Sequence, residues 1–388
     1  MKRNVALGWC LVVALGTASC KQETTEPTAA PQELKGSTTP LGFGLERGAF
    51  RLPTSGRITD QHFAEACRRA IDGDDYTCPA STPVIDWWVA AALEVIRKEP
   101  AIFDLLYNQL LADLIPTYEA LYFQTDATPQ YFGYNGEYTQ VLQKTHTDTK
   151  RFWNIKSDDI QLIGMHGTML LDVQRVATTY QAVFGFKPAA AAAAAAAIRD
   201  AVLKSQTLNG GNHPLFSFNA FAFTTFGGGI PDKIVMGDAI MAGYAALGFG
   251  DVAPQAIYAH EFAHHIQFEN GYFDEAVPGT GRRVTEAEKT RYTELMADAY
   301  SAYFLTHSQG LALNQKRVGQ FLEVFFQIGD CAFSNPGHHG TPNQRMAAAR
   351  FGFAVAAEAQ KQGHILTSQE FHARFVAVYP SLVAPDAV

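Results

Sequence analysis

The chain of 388 residues is 47% hydrophobic and 18% charged, a balance that supports one large core or two moderate ones and excludes a disordered or collagen-like polymer. Its formal net charge of −8 argues against nucleic acid, or a broad anionic membrane surface, as an electrostatic partner. Taken from the start, Lys2 and Arg3 precede an apolar stretch over residues 5–15 and then Thr17-Ala18-Ser19 before Cys20, the pattern of an export signal. Residues 1–19 are therefore expected to be a signal peptide and no part of the fold. Small residues ahead of a cysteine resemble a lipobox, in which Cys20 is lipidated and anchors the chain to a membrane. The usual leucine three positions earlier is Thr17 here, so ordinary cleavage after Ser19 stays open. Residues 20–58, rich in Thr, Pro, Gln and Glu between 22 and 40, read as a flexible tether.

Residues 59–206 read as a helical N-terminal region. Cys67 and Cys78 bracket a polar loop, and in an oxidising envelope compartment they are expected to form a disulfide, with Cys331 left as a buried thiol. Apolar residues at three- and four-residue spacing predict amphipathic helices over 84–98, 102–114 and 158–184. The alanines of 189–197 follow Pro188, which predicts a close-packed or spacer helix with proline in its first turn. His146 and His166 stand alone in this half and are expected to be structural or exposed. A Gly/Asn/Pro-rich stretch at 207–214 marks the boundary to a second unit, 207–388. There Phe216, Phe218, Phe221 and Phe223 predict a strand region serving core packing, and 232–237 a short strand with β-branched residues ahead of a glycine.

The densest chemistry follows in His260-Glu261-Phe262-Ala263-His264. Asp251 and Pro254 precede the periodic set Ala256, Ala259, Ala263 and Ile266, and Asn270-Gly271 close it, so this stretch is predicted to be a helix. Residues four apart share a face, so His260 and His264 can grip one metal ion, while Glu261, about 100° round the helix, can reach a water beside it and take its proton. One Zn2+ is the expected cofactor, since zinc in hydrolytic sites takes three protein ligands and brings water toward neutrality. Glu294 is the best-placed third ligand. It lies 30 residues past His264, enough for a loop and a return helix starting near Thr285, where Glu288 indicates a capping box. Asp298, four residues on and so on the same face, can accept the free ring N–H of a ligating histidine and hold its orientation. Further on, Pro336, Gly337 and Gly340 frame His338 and His339 in a loop ahead of a helix over 343–353. Amide hydrolysis needs a donor for the developing oxyanion; His338, His339 and Arg345 are available, and His339 is the expected one. A turn that caps the following helix accounts for the same residues equally well.

His260-Glu261-Phe262-Ala263-His264-His265-Ile266-Gln267, Glu294-Leu295-Met296-Ala297-Asp298 and His339-Gly340-Thr341-Pro342-Asn343-Gln344-Arg345 together resemble the bacterial neutral zinc metallopeptidases of the zincin type, over about residues 215–355. The resemblance implies His260, His264 and Glu294 as ligands, Glu261 as base and Asp298 as orienter. It also implies a predominantly helical α+β fold, with a zincin-like metallopeptidase domain and a small sheet over 207–388. In such enzymes an edge strand above the metal pairs with extended substrate backbone, a role that falls by analogy to 232–237. The function expected is that of an exported, lipid-anchored zinc metallopeptidase of the cell envelope, with a peptide or protein substrate. Two other classes stay open: a non-catalytic zinc-binding envelope assembly or binding lipoprotein, and a zinc amidase acting on peptidoglycan. The N-terminal region as an inhibitory prosegment is open as well.

Overall fold

A computed structural model describes residues 82–224, 230–327, 329, 338–362 and 364–384. The expected signal peptide and tether, Cys20, the Cys67 and Cys78 pairing and Cys331 lie outside the described residues. Among those described, no helix is long and apolar enough to cross a membrane.

The fold is predominantly helical around a three-stranded sheet. Its elements are α1 (Pro83–Lys98), α2 (Ile115–Tyr122), α3 (Thr139–Phe152), β1 (Gln161–Met165), α4 (Val173–Phe184), α5 (Pro188–Lys204), β2 (Ala220–Phe223), β3 (Lys233–Gly237), α6 (Asp238–Ala246), α7 (Ala253–Asn270), α8 (Glu286–Thr306), α9 (Gln315–Gln327), α10 (Pro342–Gln362) and α11 (Ser368–Leu382). Helices α1 and α5 form where the spacing and their leading prolines place them; α5 buries Ala191, Ala194, Ala195 and Ile198 as one close-packed stripe. One apolar core joins residues from Val84 to Leu382, and the pairing of β1 with β3 crosses the stretch 207–214.

Two expected helices are corrected. The stretch 102–114 breaks into a helical turn at Pro100–Phe103, a π-helical turn at Asp104–Gln109 and a left-handed Leu111. Leu110, Leu111 and Ala112 are all fully buried, and the positive φ of Leu111 turns the chain there. The stretch 158–184 divides into β1, a 3-10 turn at Gly167–Leu171 and α4. Leu162 and Ile163 point to opposite faces of the sheet and both are buried, so a strand covered on two sides imitates helical spacing. Glycine at 167 permits the tight exit, because a Cβ there would lie 2.1 Å from the Gly211 carbonyl oxygen.

The sheet order is β1-β3-β2, with β1 parallel and β2 antiparallel to β3. The strand at 232–237 is therefore central and not the expected edge. Ile234, Val235 and Met236 are fully buried, as a strand with neighbours on both sides and packing on both faces requires. Strand β2 is the edge that packs against α7. Its Phe221 and Phe223 join Ile163, Met165 and Val235 in a small cluster on one face, which turns Ala220 and Ala222 toward the other.

Candidate metal centre

Helix α7 is pinned by local signals: Pro254 stands in its first turn and Gly271, at φ 72°, ends it in the left-handed conformation. From Ala253 to Gln267 every residue except Gln255 is buried, so the His260-Glu261-His264 face has no contact with solvent. Helix α8 starts at a capping box in which the Thr285 hydroxyl accepts from the Glu288 amide at 3.2 Å and the Thr285 amide donates to the Glu288 carboxylate at 2.8 Å. That cap sets the register carrying Glu294 and Asp298, one turn apart, onto α7.

The structure brings the expected ligands together. The Nε2 atoms of His260 and His264 lie 3.1 Å apart, and the Glu294 carboxylate oxygens lie 3.3 Å from the first and 3.6 Å from the second. His260 donates its Nδ1–H to Asp298 at 2.9 Å, and His264 donates its own to the Gln267 side-chain oxygen at 2.7 Å. Carboxylate and amide oxygens only accept, so both histidines carry a proton on Nδ1; His264 turns a bare Nε2 inward, and His260 does so when it is neutral. With both rings neutral, two lone pairs face the two Glu294 oxygens in a dry interior; without a metal the site draws a second proton onto His260, whose Nε2 stands 3.3 Å from Glu294. Four acceptors at these distances repel, and a positive charge, whether a proton on His260 or a metal ion, resolves the conflict. The buried group His260, His264 and Glu294 can hold a metal ion.

The surroundings are built to keep this charge pattern. Arg345, fully buried, donates from Nε and Nη2 to the two Asp298 oxygens, each at 2.7 Å, and its Nη2 stands 3.6 Å from Glu294. Burial opposes the guanidinium charge, but Asp298 and Glu294 outweigh it and hold its pKa above the ordinary value. In the metal-free chain burial also opposes a charge on His260, yet Asp298 and Glu294 prevail and push it up to about 9. His264, partnered by a neutral amide, goes the other way: burial pulls it down to about 3 against the attraction of Glu294. Glu261 is buried, both its oxygens lack a hydrogen-bond partner, and burial pushes its carboxyl up to about 8.

The loop expected to supply an oxyanion donor is a helix cap. The Thr341 amide donates to the Gln344 side chain at 3.2 Å and the Gln344 amide to the Thr341 hydroxyl at 3.1 Å, a capping box behind the left-handed Gly340. The cap starts α10 and delivers Arg345 to Asp298. His339 lies buried at the same end. Burial would raise the Glu294 carboxyl, but the hydrogen bond from His260 and the neighbouring imidazoles hold it well below the usual carboxylate range. His146 bonds the Tyr258 hydroxyl at 2.8 Å, and His166 pairs with Asp238 at 2.8 Å beneath the stacked ring of Tyr131. Neither belongs to the metal-binding group. Sequence reasoning missed Gln267 as a partner of His264, although its position three residues on places it on the same face. Comparison with family models, curated proteins and solved structures gave no match to this chain.

Proposed function

We propose that the chain is a zinc-dependent hydrolase of peptide bonds, a metallopeptidase of the zincin type, exported to the cell envelope and held there by a lipid on Cys20. The observation that carries the catalytic reading is the convergence of two imidazole nitrogens and a carboxylate in one buried group, with an unpartnered Glu261 beside them. Two nitrogens and one carboxylate are the donor set that suits zinc in hydrolytic sites, with one position left for water or substrate. When bound, zinc supplies Lewis acidity to water and to a carbonyl oxygen.

The remaining work belongs to the chain's own groups. Glu261 is the group placed to take a proton from water and return it to a leaving amine; burial holds its carboxyl at about 8 in the metal-free chain, and a bound cation would favour the carboxylate. Asp298, clamped by Arg345, keeps the His260 ring turned so that Nε2 points inward. Strand β2, with β3 as its one strand neighbour among the described residues, fits the part of an edge strand that pairs with an extended peptide. The envelope location rests on the leader and on Cys20.

The test is zinc content and proteolysis of the wild-type chain beside Glu261→Gln. Both are expected to hold one zinc per chain, and only the wild type to generate new amine termini in envelope extracts. Equal cleavage by Glu261→Gln, or a chain that binds no zinc, overturns the proposal, and products confined to peptidoglycan cross-links redirect it to an amidase. One observation favours a second reading: His260, Glu261, His264 and Glu294 are all fully buried, as in closed structural sites. On that reading zinc raises the melting temperature and nothing is cleaved.

A further inference from the structure

Gln267 follows His264 by three residues, so the two side chains stack on one face of α7, and Gln267 is fully buried. Its amide is used at both ends. The oxygen accepts the His264 Nδ1–H at 2.7 Å, and the nitrogen donates at 2.6 Å to the carbonyl oxygen of Thr293, the residue before Glu294 on α8. Flipping the amide would set its NH2 against the ring N–H and its oxygen against a carbonyl, so the network admits one orientation. A single side chain thereby ties the second histidine on α7 to the backbone that carries the carboxylate on α8. His260 is held by a different device, the charged Asp298–Arg345 pair.

We infer that Gln267 is a positioning residue of the metal centre: it selects the Nδ1-protonated tautomer of His264 and sets the distance from that ring to Glu294. The inference rests on the proposed zinc reading of the same site. It also separates the two histidines by kind, one backed by a carboxylate and one by a neutral amide. Without the amide oxygen the His264 ring is free to rotate or to move its proton to Nε2, and in either state its lone pair no longer meets the other ligand atoms.

The test uses the full chain with Gln267→Met, which conserves volume but removes both polar ends, and Gln267→Glu, which keeps an acceptor for the ring. Zinc affinity is read by chelator competition, the ligand field from the visible bands of the cobalt(II)-substituted chain, and folding from the melting of the metal-free chain. Gln267→Met is expected to melt as a folded protein, to bind zinc about 10–100-fold more weakly and to show altered cobalt bands. Gln267→Glu is expected to stay nearer the wild type in affinity and to shift the bands, because a carboxylate on Nδ1–H makes the imidazole a stronger donor. Wild-type affinity and bands in Gln267→Met overturn the inference. Should that variant not fold, Gln267→Glu decides alone, and unshifted bands overturn it. A wild-type chain that binds no zinc overturns the zinc reading itself, which distinguishes the two failures.

Discussion

Arg345 stands 47 residues from Asp298 in the chain, yet its guanidinium supplies the positive charge that two buried carboxylates share. Replacing it by methionine leaves Asp298 and Glu294 on either side of His260 without the guanidinium, in a dry interior. The expected cost is about 3–5 kcal/mol in urea unfolding of the metal-free chain, the usual penalty for removing one partner of a buried pair. Saturating zinc is expected to restore part of it, since the cation binds the folded state and brings its own charge. A loss under about 1 kcal/mol would contradict this assignment. At this scale His260, Glu261, His264, Glu294 and Asp298 were legible in the sequence, because ligand-type residues repeat at helical spacing. Gln267 was not, because an amide has no metal signature of its own. Arg345 was one of three available oxyanion donors beside the expected His339, and its tie to Asp298 was not legible, because a sequence displays a charge but not what neutralises it.

Helices α8 and α10 approach so closely at Gly352 that a Cβ there would lie 2.1 Å from the Ala299 carbonyl oxygen and 3.0 Å from the Ala302 side chain. Gly352→Ala is expected to push the helices apart, at a cost of about 1–3 kcal/mol for overpacking. Since α8 carries Asp298 and α10 carries Arg345, the same change should loosen the pair and lower zinc affinity, as chelator competition would show. Lower stability with wild-type zinc affinity would mean that the helix contact and the centre are independent. The ends of α7 and α8 could be read from sequence because cap chemistry is local, as in Thr285 with Glu288 and in Gly271. Strand β1 could not, because its apolar run matches a buried helix until its partner β3 is known. The central position of β3 was hidden for the same reason.

Across the molecule, His146 and His213 are both held neutral by burial, each lowered to about 4 from an ordinary value near 6.5. At these two sites the unfolded chain takes up protons near 6.5 and the folded chain only near 4, so their contribution to stability is complete above pH 6.5 and falls as the pH drops toward 4. The expected loss is about 1–3 kcal/mol per histidine. Urea midpoints of the metal-free chain at pH 7, 5 and 4 check this, with a smaller drop expected in His146→Gln; an unchanged drop would exclude His146 as a source. Glu99 extends the fall further down. Burial would raise its carboxyl, but hydrogen bonds from Ser205, Thr207 and the Gln206 amide outweigh that and bring it to about 2, so its contribution is lost between about pH 4.5 and 2.

The sequence by itself determined the helix bearing His260, Glu261 and His264, the cap that starts the next helix, the phase of Glu294 and Asp298 on it, and the dominance of helix over sheet. Each of these depends on residues within one or two turns of one another. Only the tertiary structure decided that β3 is the central strand, that Arg345 serves Asp298, that Gln267 serves His264, and that two imidazoles and a carboxylate converge in one buried group. Those facts arise when segments far apart in the chain share one dry interior, where every donor and acceptor must be answered by another.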